Sequence, residues 1–187
     1  MRKTIKLVIV LVIIIVIMII RFNYESYEKM FYPLEYKNHI LTYASKYDLD
    51  PNLVAAIIMV ESGFRREAVS SKEARGLMQI TPDTGRWIAD KMDFEAFDKD
   101  MLFDPGMNIE FGCWYINNLR QQFGEDITLI LAAYNGGRGN VVKWLNNRKY
   151  SNDGTTLQQI PYTETRNFVE KVSKYYVKYK ELYNLGQ

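Results

Sequence analysis

Glu61 is the side chain of this sequence best placed for acid–base chemistry. It closes the run Asn52-Leu53-Val54-Ala55-Ala56-Ile57-Ile58-Met59-Val60-Glu61-Ser62, which Asp50-Pro51 introduces. At helical spacing Glu61 lies over Ile57 and Ile58, with Val54 two turns back on the same stripe. A carboxyl in that position fits two arrangements. Where the helix end reaches water it is a solvated anion, the usual state of an unpartnered glutamate. Where it borders a cleft with apolar walls, desolvation favours the neutral form and makes it a proton donor near neutral pH. Spacing alone is compatible with both.

The rest of the composition narrows the chemistry to oxygen side chains. His39 and Cys113 are the only histidine and cysteine. That excludes a disulfide framework within the chain, starves a zinc site of ligands, and leaves a Ser-His-Asp or Cys-His arrangement hanging on one histidine with no motif near it. No metal and no cofactor is implied. The 187 residues suit one domain, and 48% apolar with 25% charged residues describes a packed globule. The net charge is +2, but Arg2, Lys3, Lys6 and Arg21 all precede residue 22 and no acid accompanies them. The remainder holds 20 basic against 22 acidic residues, a balance that argues against a nucleic-acid partner.

The elements that would position Glu61 read as helices. Asp50-Pro51, Thr81-Pro82 and Asp104-Pro105 each place a capping side chain before a proline at the first helical position. Gly63, a point near Met92, and Gly124 mark the three ends. Asp126 caps Ile127–Tyr134, which Gly136-Gly137 terminates. A last helix from Glu164 to about Leu182 carries Phe168, Val172, Tyr175, Tyr176 and Tyr179 on one stripe. No convincing strand alternation and no internal repeat follows Lys37, so the class is all-α.

Upstream, Leu7–Ile20 is an unbroken run of 14 apolar residues, and Ile5–Phe22 reaches the lower length limit for crossing a bilayer if Lys6 and Arg21 snorkel outward. No pair of small residues follows, which favours an uncleaved anchor over a signal peptide. The basic stub places the N-terminus in the cytoplasm and the rest outside, as a single-pass membrane protein. The expected organisation is a stub and anchor at 1–22, a linker at 23–36 and a catalytic domain at 37–187.

Three further motifs change the standing of Glu61. Gly76-Leu77-Met78-Gln79 follows the polar loop Phe64–Arg75, Ala133-Tyr134-Asn135 ends a helix, and Glu164-Thr165-Arg166 opens the last one. With Glu61-Ser62, in this order, the set resembles the lytic transglycosylases of the soluble-lytic-transglycosylase type, related to goose-type lysozyme. The resemblance covers about Asn38 to Tyr183. It implies a lysozyme-like helical fold with a groove for peptidoglycan glycan strands. It also implies cleavage of the β-1,4 bond between N-acetylmuramic acid and N-acetylglucosamine, leaving a 1,6-anhydro end without consuming water. Carried across, Glu61 is the acid/base and Ser62 completes its motif. Gln79 lines the groove above Met78, Tyr134 and Asn135 flank the cleaved bond, and Ser70 touches substrate from the intervening loop. One departure stands out: the family's usual tyrosine after Glu-Thr-Arg is Phe168 here, and Tyr162 is the nearby hydroxyl that would replace it.

One carboxyl suffices if the substrate supplies the second group. The muramic N-acetyl oxygen would assist departure and the C6 hydroxyl would then attack C1, an intramolecular step with an effective molarity on the order of 10⁵ M or more. Two rivals remain on sequence grounds. One is a hydrolytic muramidase on the same fold with a water held by Glu73 or another acid; the other is a non-catalytic glycan-binding protein of the envelope.

Overall fold

A computed structural model describes residues 2–186, and the chain divides into two compact units, Met1–Leu34 and Glu35–Gln187. The first unit is one helix, α1 (Arg2–Phe31). Its most apolar 18-residue window has a mean hydropathy of 3.2, and α1 is the one helix among the described residues long and apolar enough to cross a membrane. The helix continues through much of the stretch read as linker. Tyr32 N–H still bonds Glu28 O at 3.0 Å, because extending a helix already nucleated costs little and no proline or glycine interrupts before Pro33.

The second unit is all-α, as the sequence predicts. It runs α2 (Lys37–Lys46), α3 (Pro51–Glu61), α4 (Pro82–Lys91), a 3-10 turn at Lys99–Phe103, α5 (Pro105–Phe123), α6 (Ile127–Gly136), α7 (Arg138–Leu145) and α8 (Thr163–Tyr183). Two isolated bridges, Val69 with Arg75 and Arg75 with Ile80, are the only β pairing among the described residues.

The predicted caps are formed. Asp50 accepts from Asn52 N–H, Thr81 from Thr84 N–H, Asp104 from Met107 N–H, and Asp126 from Thr128 and Leu129 N–H, each satisfying a first-turn donor that has no partner inside its helix.

The centre of the unit is α3. A helix apolar on every side must be surrounded, and Asn52 through Ile58 are all buried. Helices α2 and α8 pack against it, and α8 also covers α6. On α8 Phe168, Val169, Val172 and Tyr179 are buried, whereas Tyr175 and Tyr176 are half-buried at the edge of the predicted stripe.

The N-terminal end of α3 is clamped. Asn52 exchanges two hydrogen bonds with the backbone of Leu185, Nδ2 to O at 2.9 Å and Oδ1 from N–H at 3.1 Å. Tyr176 donates to Asp50 Oδ2 at 2.6 Å. These bonds fix the register of a rigid rod, and its last residue is Glu61.

Candidate active site

Glu61 ends α3 half-buried, at the wall of a cleft of about 410 Å³. Among the described residues its carboxyl has no hydrogen-bond or ion-pair partner. Burial raises its pKa from 4.5 to about 8, and the charge of Glu164 pushes the same way. Its place at the C-terminal end of α3, where unpaired carbonyls carry partial negative charge, also disfavours a carboxylate. Burial therefore favours the protonated side chain at neutral pH.

The loop between α3 and α4 forms one wall. It folds back on itself: Arg75 N–H bonds Ile80 O at 2.9 Å, Ile80 N–H bonds Arg75 O at 3.1 Å, and Gly76 N–H bonds Ala68 O at 3.0 Å. Gly76 adopts φ +75, and a Cβ there would overlap Leu102 O and the Asn108 amide, so both the turn and the close approach require glycine. Gln79 has φ 47, a left-handed conformation uncommon for a side-chain-bearing residue. Its Nε2 donates to Ala68 O at 3.2 Å and Gly76 O at 3.0 Å, which leaves Oε1 without a hydrogen bond among the described residues, and Gln79 lines the cleft. Ser70 Oγ accepts from Lys72 and Ala74 N–H at 3.2 and 3.1 Å, and Ser70 also lines the cleft.

Met78 lies beneath Gln79 with no exposed surface, nested where Gly112 on α5 lacks a side chain. Asn108 holds this turn to α5: Oδ1 accepts from Met78 N–H at 2.7 Å, and Nδ2 donates to Arg75 O and Leu102 O at 2.9 and 2.8 Å.

The opposite wall comes from the end of α6. Tyr134 donates to Met78 O at 2.7 Å and thereby ties α6 to the loop. Burial pushes its phenol well above the usual range, with the Glu61 charge adding to the shift. Its ring stacks on Phe168 at 6.2 Å between centroids and 6° between planes, with Tyr115 tilted against it at 5.6 Å. Tyr134→Phe is expected to lower stability by about 1–2 kcal/mol, because it strips the buried Met78 carbonyl of its donor. Urea denaturation reads this directly, and an unchanged midpoint would show the hydroxyl to be free for another purpose. Asn135 lines the cleft with no side-chain hydrogen bond among the described residues.

The structure thus gathers Glu61, Ser70, Gln79, Tyr134 and Asn135 around one cleft. It places three other expected residues elsewhere. Ser62 is buried, its hydroxyl donating to Ile58 O at 3.2 Å, because a C-cap serine folds back on its own helix. Met78 supports the wall from behind. Tyr162 is 50% exposed and packs edge-on against Trp144 at 5.0 Å, outside the cleft lining, so it does not supply a hydroxyl beside Glu61. The Phe168 position is filled by aromatic packing. Glu73, the acid named for a hydrolytic water, sits on an exposed turn outside the lining.

Sequence reasoning had not put Thr84, Tyr115 and Glu164 in the cleft. Glu164 was visible in its motif, as an acid in a helix first turn; nothing local distinguishes Tyr115 from a core aromatic. Glu164 is exposed and pairs with Lys72 at 3.4 Å, linking α8 to the loop at the mouth.

A helical domain whose central helix brings a half-buried carboxyl to the wall of a cleft has the architecture of the lysozyme-like class. More narrowly, the chain belongs to the transglycosylase SLT domain family, whose profile matches residues 38–156. It is 32% identical over 151 residues to the soluble lytic murein transglycosylase of Escherichia coli K12, covering 80% of this chain and 23% of that protein. It is 36% identical over 159 residues to the membrane-bound lytic murein transglycosylase C of Actinobacillus pleuropneumoniae serotype 5b, covering 73% and 43%. Among solved structures, an inactive glutamate-to-glutamine mutant of the lytic transglycosylase Slt of Pseudomonas aeruginosa superposes with a TM-score of 0.73 at 30% identity, over 83% of this chain and 25% of that one. The 70 kDa soluble lytic transglycosylase of Escherichia coli gives 0.72 at the same identity and coverage. The chain therefore spans less than half the length of these relatives.

Proposed function

We propose that the chain is a peptidoglycan lytic transglycosylase that uses Glu61 first as acid and then as base. The observation that carries this reading is the half-buried Glu61 carboxyl at the end of a buried helix, bordering a cleft and, among the described residues, without a hydrogen-bond or ion-pair partner, a setting in which burial favours the neutral form. The relatives named as lytic murein transglycosylases supply the substrate class.

Glu61 donates its proton to the glycosidic oxygen leaving as O4 of N-acetylglucosamine, and the C1–O bond of N-acetylmuramic acid breaks. The muramic N-acetyl oxygen bonds C1 in its place. The Glu61 carboxylate then takes the C6 hydroxyl proton, O6 displaces the acetamide oxygen from C1, and the 1,6-anhydro ring closes. The carboxyl is regenerated and water is not a reactant. Gln79 Oε1 accepts from a sugar amide or hydroxyl, the free amide of Asn135 and the hydroxyl of Ser70 bind the same strand, and Tyr134 holds the wall they stand on. Ser62 and Met78 act from behind this surface. Helix α1 tethers the domain to the membrane, an association that the membrane-bound relatives support, and the basic Arg2-Lys3-Lys6 stub favours an orientation with the stub inside and the domain outside.

Glu164 gives a second reading some footing, since a second carboxylate in the cleft is what a hydrolase needs to hold water. Mass spectrometry of peptidoglycan digested by the full-length protein in detergent separates the two. Anhydro-muramic ends, one water lighter than reducing ends, are expected; reducing muramic ends alone would reject transglycosylation.

A further inference from the structure

The cleft around Glu61 continues past Thr84 and Tyr115. The same two residues wall a smaller hollow of about 250 Å³, completed by Asp83, Trp87 and Arg138. Trp87 is fixed edge-on between Trp114 at 5.4 Å and Tyr115 at 6.0 Å. The Arg138 guanidinium lies over its ring at 5.0 Å from the centroid.

Arg138 has no ion pair and no side-chain hydrogen bond among the described residues. Arg75 and Arg120, in contrast, are each paired with a carboxylate, Asp100 and Asp48. Stacking occupies the face of the Arg138 guanidinium and leaves its in-plane N–H fork unpaired. It also removes rotamer freedom that binding would otherwise have to freeze. A fork held in this way matches two oxygens of a carboxylate or a phosphate, and of these the peptide stem on muramic acid carries carboxylates. Arg138 directly follows Gly136 and Gly137, which line the Glu61 cleft.

Resting on the transglycosylase reading, we propose that this hollow is a carboxylate subsite in which Arg138, braced on Trp87, takes a carboxylate of the peptide stem carried by muramic acid. A glycan strand seated against Glu61 extends toward Thr84 and Tyr115, and the stem leaves the sugar backbone within reach of the hollow. Asp83, on the same wall, accepts from stem N–H groups. The subsite thus distinguishes peptide-bearing strands from bare ones, a selection that the neutral amides of Gln79 and Asn135 do not make.

The test compares strands bearing their peptides with strands stripped by an amidase and then amidated at the lactyl carboxylate that the amidase frees, using the full-length protein in detergent. Wild type is expected to favour peptide-bearing strands in kcat/KM, chiefly through KM. Arg138→Gln is expected to reduce that preference by about tenfold, the lower end for a charge-assisted pair because the guanidinium is solvent-exposed. Arg138→Lys keeps the charge without the fork and should restore only part of it. Binding of the two strands to Glu61→Gln protein is measured separately. If wild type cleaves neither strand while Glu61→Gln protein still prefers the peptide-bearing one, the catalytic reading fails and the subsite stands. No preference in the wild type, or an equal loss on both strands in Arg138→Gln, overturns the subsite.

Discussion

Glu61→Gln is expected to lower the rate of peptidoglycan cleavage by at least about 10³-fold, since the substitution removes general acid and general base together and each contributes about 10²–10⁴. Glutamine keeps the shape and the helix, so the loss belongs to the proton. Activity of the wild type should hold up to about pH 8 and decline above it as the acid deprotonates. The same substitution is expected to stabilise the fold at alkaline pH. Between 4.5 and about 8 the folded chain holds a proton at Glu61 that the unfolded chain has lost. Wild-type stability therefore falls as pH rises through that window and levels off above it. Glutamine removes the slope. The shift from 4.5 to about 8 sets a ceiling near 5 kcal/mol, which water in the cleft reduces to on the order of 2 kcal/mol. Urea denaturation of both proteins at about pH 5 and about pH 9 gives the difference, with the gain confined to the higher pH. An equal midpoint shift at both values would mean the gain does not come from titration.

Asn108→Ala is the second large effect and acts through the fold. Asn108 is fully buried and is the one α5 side chain, among the described residues, hydrogen-bonded to the turn: it receives Met78 N–H and donates to Arg75 O and Leu102 O. Alanine would leave one donor and two acceptors without those bonds, at about 1–3 kcal/mol for each group that water cannot reach, or about 3–5 kcal/mol in all. Activity should fall with stability, because the turn that Asn108 anchors also carries Gln79 and the Met78 carbonyl that holds Tyr134. A loss below about 1 kcal/mol would show that water or a backbone shift replaces the anchor.

The parts of this architecture that were legible in the sequence are those set by local chemistry. Asp50, Thr81, Asp104 and Asp126 cap the helices they precede because a short oxygen side chain needs only its own next three residues to do so. Helices α2 and α7 were missed for the same reason. Tyr36 precedes α2 in a left-handed conformation, Gly137 precedes α7, and neither contributes a side-chain cap. The burial of α3 could be read from residues apolar on every side, and with it the candidate role of Glu61. What sequence could not show was tertiary. Ser62 adjoins Glu61 and Met78 adjoins Gln79, yet in each pair one side chain borders the cleft and the other turns inward. Tyr162 is two residues from Glu164, but Trp144 holds its ring. Tyr115 and Arg138 acquire their neighbours only when α4, α5 and α7 meet.

The central claim is that the Glu61 carboxyl stays protonated at neutral pH because the end of α3 is shielded from water. Carbon-13 NMR of carboxyl-labelled full-length protein, with Glu61→Gln assigning the resonance, measures that proton directly. The account predicts a titration midpoint near 8. A midpoint in the ordinary glutamate range, about 4–5, would contradict it.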